Sequence, residues 1–432
     1  MQRPFFDTKF GDFYTCNCHL DMIHCPSKKN KCLFFADTHY FTSTWRYIMK
    51  VSVLGFGTVG EGVYRMLESS PGFLPGPVLE LPSKATESFM VDNLDTIISD
   101  PTIEAVVETM GGVHPAYEFA CKVMEAGKHF VTSNKALIAE KGPDLASLAA
   151  NKGVGFMFSA ACGGAIPYLA NLKTAVSSGE TIQSLSGLLN GTTNYILDRM
   201  QTSGISFEAA LAEAKNLGYA EADPSADLSG LDTLRKIMLA CAVSYNMLPV
   251  DGMEREGIEN FTAEDAKHIN SLGYVCRLKT KAKYVDSNLR AYVEPTLCAY
   301  GSPESTVTLN GNMARYIGMY SNTITLFGQG AGRYPTASAV MRDLISIKNG
   351  AENMLGEACK RVSADNSDSM HVYYLRMPAE YADELLSEVY TQENGIVRGI
   401  TEKISVKDMH GIVSEIRANG DKVFFAAVER KK

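Results

Sequence analysis

Short apolar runs alternate along this chain with stretches whose apolar positions recur every three or four residues, the rhythm of strands and helices taken in turn. Val51-Ser52-Val53-Leu54 reads as a short buried strand, and Glu61 to Ser69 as a helix with Val63 and Leu67 on one face. Gly55-Phe56-Gly57-Thr58-Val59-Gly60 stands between them. Pro71 to Pro77 is a loop by composition, and Val78-Leu79-Glu80-Leu81 predicts the next strand. Ala105 to Glu108, His129 to Thr132 and Phe156 to Ser159 predict three more, with helical spacing over Tyr117 to Ala126. Strands alternating with helices predict a parallel sheet of the Rossmann type.

The pattern changes further along. Pro167 starts a helix, Leu185 to Leu189 reads as a strand, and the polar run Asn190-Gly191-Thr192-Thr193-Asn194 leads into an apolar helix. Leu231, Leu234, Met238 and Cys241 give Leu231 to Ala242 helical spacing. Beyond Asn349 we expect a strand at His371–Arg376, a helix at Ala379–Tyr390, strands at Ile396–Val406 and Gly411–Val413, and a last strand at Val423–Val428. At about 150 residues per domain, 432 residues suggest roughly three domains. The expected division is a Rossmann-type domain over 49–160, an α+β domain with a mostly open sheet over 161–348, and a small module over 360–432.

Residues 1–48 stand apart, with four of the ten cysteines (Cys16, Cys18, Cys25, Cys32) and the single Trp45. One reading is a small metal-binding extension. No C-x-x-C pair occurs, however, and Met49-Lys50 runs straight into the first strand, so the favoured reading is extra translated sequence that packs poorly and lies outside the fold. The balance of 41 Lys+Arg against 49 Asp+Glu argues against nucleic acid as the main ligand. There is no apolar run of membrane-spanning length and no signal-peptide centre. Sparse, irregular cysteines fit a reducing compartment, so the expectation is a cytoplasmic protein with a small-molecule substrate and no membrane partner.

A glycine motif between a strand and a helix is the context in which dinucleotide binding becomes credible. Gly55 permits the tight turn, Gly57 the approach of a pyrophosphate and Gly60 close helix–strand contact, with free N–H groups at the helix start. Glu80, twenty positions after Gly60, is placed to bind ribose hydroxyls, which favours NAD; nearby Lys84 keeps NADP open. Thr109, Ser133 and Lys135 fall at carboxyl ends of strands, where ligands meet such sheets. Asp232 and Lys236 are four apart and share a helix face, as either a surface pair or part of a site. The acids before them, Glu221, Asp223 and Asp227, would suit a substrate ammonium group.

Through GFGTVG, VTSNKALIA, NGTTNYIL, GYAEADPSADLSGLDTLRK and GQGAGRYPTASAV, spread over about Met49 to Ile347, the chain resembles the homoserine dehydrogenases. The Gly218–Lys236 block is long and highly specific. The resemblance implies reversible NAD(P)H-dependent reduction of aspartate 4-semialdehyde to homoserine, in threonine and methionine biosynthesis. It implies Lys236 as proton donor, Asp232 as its partner acid, Lys135 between nicotinamide and substrate, and Glu221, with Asp227 and Thr192, on the substrate. Gly218 and Gly330 would line the active site, and Phe56, Thr58 and Val59 would join the glycines around the cofactor.

The family often holds a sodium ion through a glutamate and backbone carbonyls; the carbonyl positions here are Cys162, Gly164 and Ile166, but Ser159 stands at the glutamate position. The order beyond residue 360 resembles the βαββαβ pattern of an ACT domain, with Pro378-Ala379-Glu380 where the usual Asp-x-Pro-Gly turn is expected. A homodimer or homotetramer is implied, buried through strands near Thr181–Leu189 and Tyr292–Leu309. Another Rossmann amino-acid dehydrogenase, or an inactive cofactor-sensing protein, are the alternatives. Intact Lys236, Asp232, Glu221 and Lys135 argue against the inactive one.

Overall fold

The computed structural model describes residues 47–356 and 358–429, so the expectations for the cysteines and Trp45 before residue 47 fall outside it. Six strands, β1 (Met49–Leu54), β2 (Phe73–Leu79), β3 (Met90–Val91), β4 (Ile103–Glu108), β5 (His129–Thr132) and β6 (Phe156–Met157), form one parallel sheet in the order β3-β2-β1-β4-β5-β6. β1 lies at the centre of the sheet, and all of its side chains but Lys50 are buried, Ser52 among them. The strand order reverses between β1 and β4, which opens a crevice at their carboxyl ends. Helix Thr58–Ser69 follows β1, and helix Lys135–Lys152 follows β5.

The segment Pro71 to Pro77, expected as a loop, is largely strand: β2 begins at Phe73. Composition misled because the prolines sit where donors are dispensable. β1 pairs with β2 through a register shift between Val51 and Val53, while β3 reaches only Val78 and Leu79. Pro75 and Pro77 therefore lie on an edge beside a bulge, a place prolines tolerate. Gly76 is needed there, since a Cβ would sit 2.6 Å from Ser52 Oγ. Glu80 consequently stands just past the strand, and Phe158 and Ser159 have left β6 for a short 3₁₀ turn.

The remaining strands are β7 (Ile182–Leu188), β8 (Met247–Asp251), β9 (Tyr274–Val285), β10 (Asn288–Ala299), β11 (Gly311–Gly318), β12 (Asn322–Gln329), β13 (Lys360–Ser363), β14 (Met370–Pro378), β15 (Glu388–Glu393), β16 (Ile396–Ser405) and β17 (Phe424–Glu429). β8 and β13 make a parallel pair; the other nine form one sheet, β12-β11-β7-β9-β10-β17-β14-β16-β15. The C-terminal strands are thus not a separate sheet: β17 pairs in parallel with β10 and continues the sheet of the middle region. Helices Gly191–Ser203 and Leu231–Tyr245 cover β7 and β9 with Ile196, Leu197, Ile237 and Cys241, all fully buried. An apolar side chain buried this completely contributes roughly 1.5–3 kcal/mol.

Two C-terminal expectations were wrong in type. Gly411–Val413 is not a strand but the middle of helix Val406–Ala418. Val406, Met409, Val413 and Ile416 are buried at helical spacing, and Ser405 caps the helix by accepting from Asp408 N at 3.0 Å. The helix expected over Ala379–Tyr390 stops at Leu385, and Glu388–Glu393 is strand β15. The cause is the two-residue hairpin Asn394-Gly395, with φ of 52° and 75°, which pairs β15 with β16 and overrides local helix preference.

Candidate active site

The glycine turn leaves β1 with Gly55 at φ 90°, and helix Thr58–Ser69 begins at once. A Cβ at Gly60 would lie 2.0 Å from Gly55 O and 2.7 Å from Thr109 Oγ1, so the helix packs on the turn only as glycine. A Cβ at Gly57 would meet nothing within 4 Å. That open space lies at the helix N-terminus, where unpaired N–H groups favour an anion. Glu80 has arrived beside it: its Oε2 accepts from Phe56 N at 2.8 Å and its Oε1 from Leu81 N at 2.9 Å. The residues present fit a dinucleotide.

Thr109, at the end of β4, donates within 3.1 Å of Leu54 O and Gly55 O and so braces the turn. Glu108, not anticipated from the sequence, organises the same corner. Its buried carboxylate accepts from Met110 N at 2.7 Å and Thr132 Oγ1 at 2.5 Å. Ser133 follows β5, and Asn134 then caps the next helix, accepting from Leu137 N at 3.1 Å, which puts Lys135 at its first turn.

Lys135 reaches the second cluster. Its Nζ lies 3.1 Å from Asp232 Oδ1, and Lys236 Nζ lies 2.7 Å from Asp232 Oδ2. The Asp232–Lys236 pair is not a surface pair: the two residues are only 6% and 8% exposed. They sit on the first turns of helix Leu231–Tyr245, entered through Gly230 at φ 77°. Lys236 also donates to Leu189 O at 2.5 Å, where β7 ends. Burial pushes the Asp232 carboxyl up, but Lys236, Lys135 and the Asn190 bond outweigh it and hold it well below the usual carboxylate range. Burial likewise opposes charge on Lys236, and Asp232 overcomes it, leaving the ammonium more firmly protonated than an ordinary lysine.

Asp227 joins through Asn190, whose Nδ2 donates to Asp227 Oδ1 at 2.6 Å and to Asp232 Oδ2 at 2.9 Å. Thr192 Oγ1 lies 2.6 Å from Tyr219 O and 3.2 Å from Asp227 Oδ2. Burial first, and then the Asp232 charge, raise the Asp227 pKa. The two acids therefore differ: one is held ionised, the other takes a proton more readily. Of the polar run 190–194, Asn190 is the cap, accepting from Thr193 N at 2.8 Å, and Thr192 faces the acids. The sequence signal for Asn190 is an asparagine immediately before a helix.

Other expected residues sit around this core rather than in it. Glu221 is exposed in the loop after Gly218, which ends helix Phe207–Asn216 at φ 73°. Gly330 packs on Asn312, beside the start of helix Gly191–Ser203: a Cβ at Gly330 would lie 2.0 Å from Asn312 Nδ2, and one at Gly191 3.5 Å from Asn312 Oδ1. Gly164 packs on Gly330 in turn, its own Cβ position being 2.6 Å from Gly330 C. This ties the turn holding Cys162, Gly164 and Ile166 to the active site, and Cys162 Sγ lies 3.9 Å from Lys236 O. Burial pushes the Cys162 thiol up to about 12, so it is inert rather than a nucleophile.

A dinucleotide turn whose crevice leads, through the half-exposed Lys135, to a buried Asp232–Lys236 pair defines the class of this protein: it is an NAD(P)-dependent oxidoreductase. Residues 55–159 match the family model for the homoserine dehydrogenase NAD binding domain, and residues 167–345 match that for homoserine dehydrogenase. The homoserine dehydrogenase of Synechocystis is 37% identical over 320 residues, 69% of this chain and 73% of that protein. That of Pseudomonas aeruginosa is 31% identical over 402 residues, 85% and 91% of the two chains. A crystal structure of the Thiobacillus denitrificans homoserine dehydrogenase superposes with a TM-score of 0.79 at 28% identity, covering 88% of this chain and 98% of that one. A hyperthermophilic archaeal homoserine dehydrogenase in complex with NADPH shares the fold, with a TM-score of 0.61 at 24% identity over 71% and 99%. The chain belongs to the homoserine dehydrogenase family. Among the described residues, no helix is long and apolar enough to cross a membrane.

Proposed function

We propose that this homoserine dehydrogenase reduces L-aspartate 4-semialdehyde reversibly to L-homoserine at the Lys135–Asp232–Lys236 array, with Lys236 as the proton donor. A dinucleotide held at the glycine turn by its pyrophosphate would supply the hydride from its nicotinamide. The chain's own residues bind, orient and hold the proton. A lysine ammonium has three donors, and Leu189 O and Asp232 take two from Lys236, which leaves one for the substrate oxygen. As negative charge builds on that oxygen, the proton on Lys236 Nζ is in place to neutralise it. Asp232 stays ionised and so favours the lysine's return to its charged form. Asp227, Thr192 and Glu221 orient the amino-acid end of the substrate, with Gly330 and Gly218 lining the site.

The observation that carries this reading is the burial of Lys236 against Asp232 beside Lys135, at the mouth of the dinucleotide crevice. The test is a spectrophotometric assay with homoserine and NAD or NADP. Turnover with either cofactor is expected, and its absence with both would overturn the reading. Glu80, beside the glycine turn, supports NAD, whereas the archaeal relative holds NADPH. The ratio of kcat/KM with the two cofactors decides the preference.

The donor set at the Cys162–Ile166 turn fits a monovalent cation despite Ser159. Asp343 Oδ2, which is buried, accepts from Ser159 N at 2.7 Å and also faces the Ser159 hydroxyl. Burial raises the Asp343 carboxyl to about 7, and a cation bound beside it would hold it ionised, with the carbonyls of Cys162, Gly164 and Ile166 as the other donors. Calorimetric titration with NaCl against choline chloride tests this; equal heats would refute it.

We read residues 370–429 as an ACT-like module with a structural role. Its βαββαβ order and strand arrangement β17-β14-β16-β15 support the likeness. Arg376 bonded to Asp265 at 3.0 Å and Arg417 to Glu256 at 2.7 Å tie it to the catalytic region. Threonine should leave the rate unchanged. A homodimer or tetramer formed through the sheet is also proposed. β7 and β10 lie inside that sheet, so contact would be by the face carrying Ser184, Ser186, Lys281 and Tyr292. Light scattering that gave a monomer at micromolar concentration would refute it.

A further inference from the structure

The two carboxylates of the site, Asp227 and Asp232, stand close together with only one of them held by lysines. Asp232 Oδ1 faces Lys135 at 3.1 Å and its Oδ2 faces Lys236 at 2.7 Å. Among the described residues, no lysine lies within ion-pair distance of Asp227, and Lys236 acts on it only from farther away. Like charges this close would push one acid to seek the nearest cation, and that cation is Lys236. What lies between them is a single amide. Asn190 is 4% exposed, and its orientation is set by chemistry rather than by choice. Its Oδ1 accepts from Thr193 N at 2.8 Å, which turns Nδ2 toward the acids, and carboxylates can only accept. Each of its two N–H groups then meets one carboxylate, Asp227 Oδ1 at 2.6 Å and Asp232 Oδ2 at 2.9 Å.

The preceding carbonyl, Leu189 O, takes a proton from Lys236 Nζ at 2.5 Å. Two consecutive residues at the end of β7 therefore fix the ammonium and both acids against one another. The hydroxyl of Thr192 has a single proton. Tyr219 O, at 2.6 Å, can only accept, so the proton goes there, and the 3.2 Å approach to Asp227 Oδ2 adds no donor to an ionised Asp227. Asn190 is then the donor on which Asp227's charged form depends.

We propose that Asn190 is a positioning residue of the reaction: its amide partitions the two carboxylates, holding Asp232 to the lysines and Asp227 free for the substrate. The proposal rests on the reading of Lys236 as proton donor. The groups facing the pair are Lys236 from the same helix as Asp232, Lys135 from helix Lys135–Lys152, Asn190 and Thr192 from the start of helix Gly191–Ser203, and Cys162 from the turn before Tyr168.

Asn190→Ser separates the positioning role from the capping role, because serine caps a helix about as well as asparagine but lacks the two donors. We expect a fall in kcat of about 10-fold or more with unchanged NAD(P)H affinity and a melting temperature close to wild type. The acidic limb of the kcat/KM profile for homoserine oxidation should move to higher pH, since a carboxylate that loses a donor holds its proton more tightly. Asn190→Asp keeps the shape and the cap oxygen but adds a third carboxylate, and should lower kcat further; it serves as the reading if the serine variant does not fold. A folded variant with wild-type kcat would overturn the proposal, as would a loss of kcat with an unmoved acidic limb and a lowered melting temperature, which marks a merely structural residue. Lys236→Ala, measured in parallel, separates the two readings. If that variant stays active, the proton-donor reading has failed; if it is inactive while Asn190→Ser is unaffected, only the positioning role has.

Discussion

Lys236 is a residue whose worth depends on three neighbours at once. Substituting it with alanine removes the proton donor, and kcat should fall by about 10²-fold or more, the usual scale for a lost general acid. The affinity for NAD(P)H should hold, because the glycine turn is braced separately by Thr109 and Glu80. Breaking a buried ion pair commonly costs about 3–5 kcal/mol of stability. Here the cost should be smaller, since Asp232 keeps Lys135 and Asn190. Rapid-reaction kinetics on the folded variant check the prediction; near wild-type kcat would make Lys135 the leading donor. Glu221, exposed and apart from the buried array, should behave differently. Its proposed partner is an ammonium whose charge barely changes during hydride transfer, so Glu221→Ala should raise KM for homoserine and leave kcat nearly intact.

At the scale of the element, the glycine turn contains two glycines that are irreplaceable for different reasons. Gly60 is required by the fold, because a methyl there meets Gly55 O at 2.0 Å. Gly57 is not, since its φ of −72° suits any residue and its Cβ position is open. Gly57→Ala should therefore leave the melting temperature within a degree or two of wild type, yet weaken NAD(P)H binding by about tenfold or more as the methyl enters the space of the pyrophosphate. Gly60→Ala should lower the melting temperature outright. Fluorescence titration with NADPH and thermal unfolding distinguish them, and an unaltered NADPH affinity in Gly57→Ala would refute the assignment of that space.

At the scale of the molecule, the middle and C-terminal regions are joined across the nine-stranded sheet, and one titrating group sits at the seam. His371 on β14 shares a 2.7 Å hydrogen bond with Tyr292 on β10. Burial, helped by Lys281, lowers its pKa to about 4, although Glu294 and Glu429 oppose the shift. The imidazole is neutral in the fold, whereas in the unfolded chain it charges near pH 6.5. Its contribution is therefore complete above about pH 6.5 and is lost as the pH falls toward 4, amounting to roughly 3 kcal/mol at most. Chemical denaturation at stepped pH should show stability declining through that window, and His371→Gln should flatten the decline. Glu429, lowered to about 2, begins to lose its own contribution near the unfolded carboxylate value of 4.5, at the foot of that window, so the difference between wild type and His371→Gln is what isolates the imidazole.

How much of this was legible in the residues depends on how local the cause was. The parallel sheet could be read because apolar strands, the glycine turn and following helices each declare themselves within ten residues. Lys236, Asp232 and Lys135 could be named through the Gly218–Lys236 block and its resemblance, but not their geometry. Residues 135, 190 and 232 are far apart in the chain, and only the meeting of β7, helix Lys135–Lys152 and helix Leu231–Tyr245 brings them together. That meeting turned a four-residue spacing, indistinguishable from an exposed helix pair, into a buried one. The first part of β2, Phe73 to Pro77, and the whole of β15 were missed for the opposite reason: local composition spoke for loop and helix, while pairing with β1 and β16 decided strand. Sequence determined what was local, namely the turns, caps and periodicities. The tertiary structure alone decided which distant polar groups share one dry space, and there each charge depends on its neighbours because water no longer screens it.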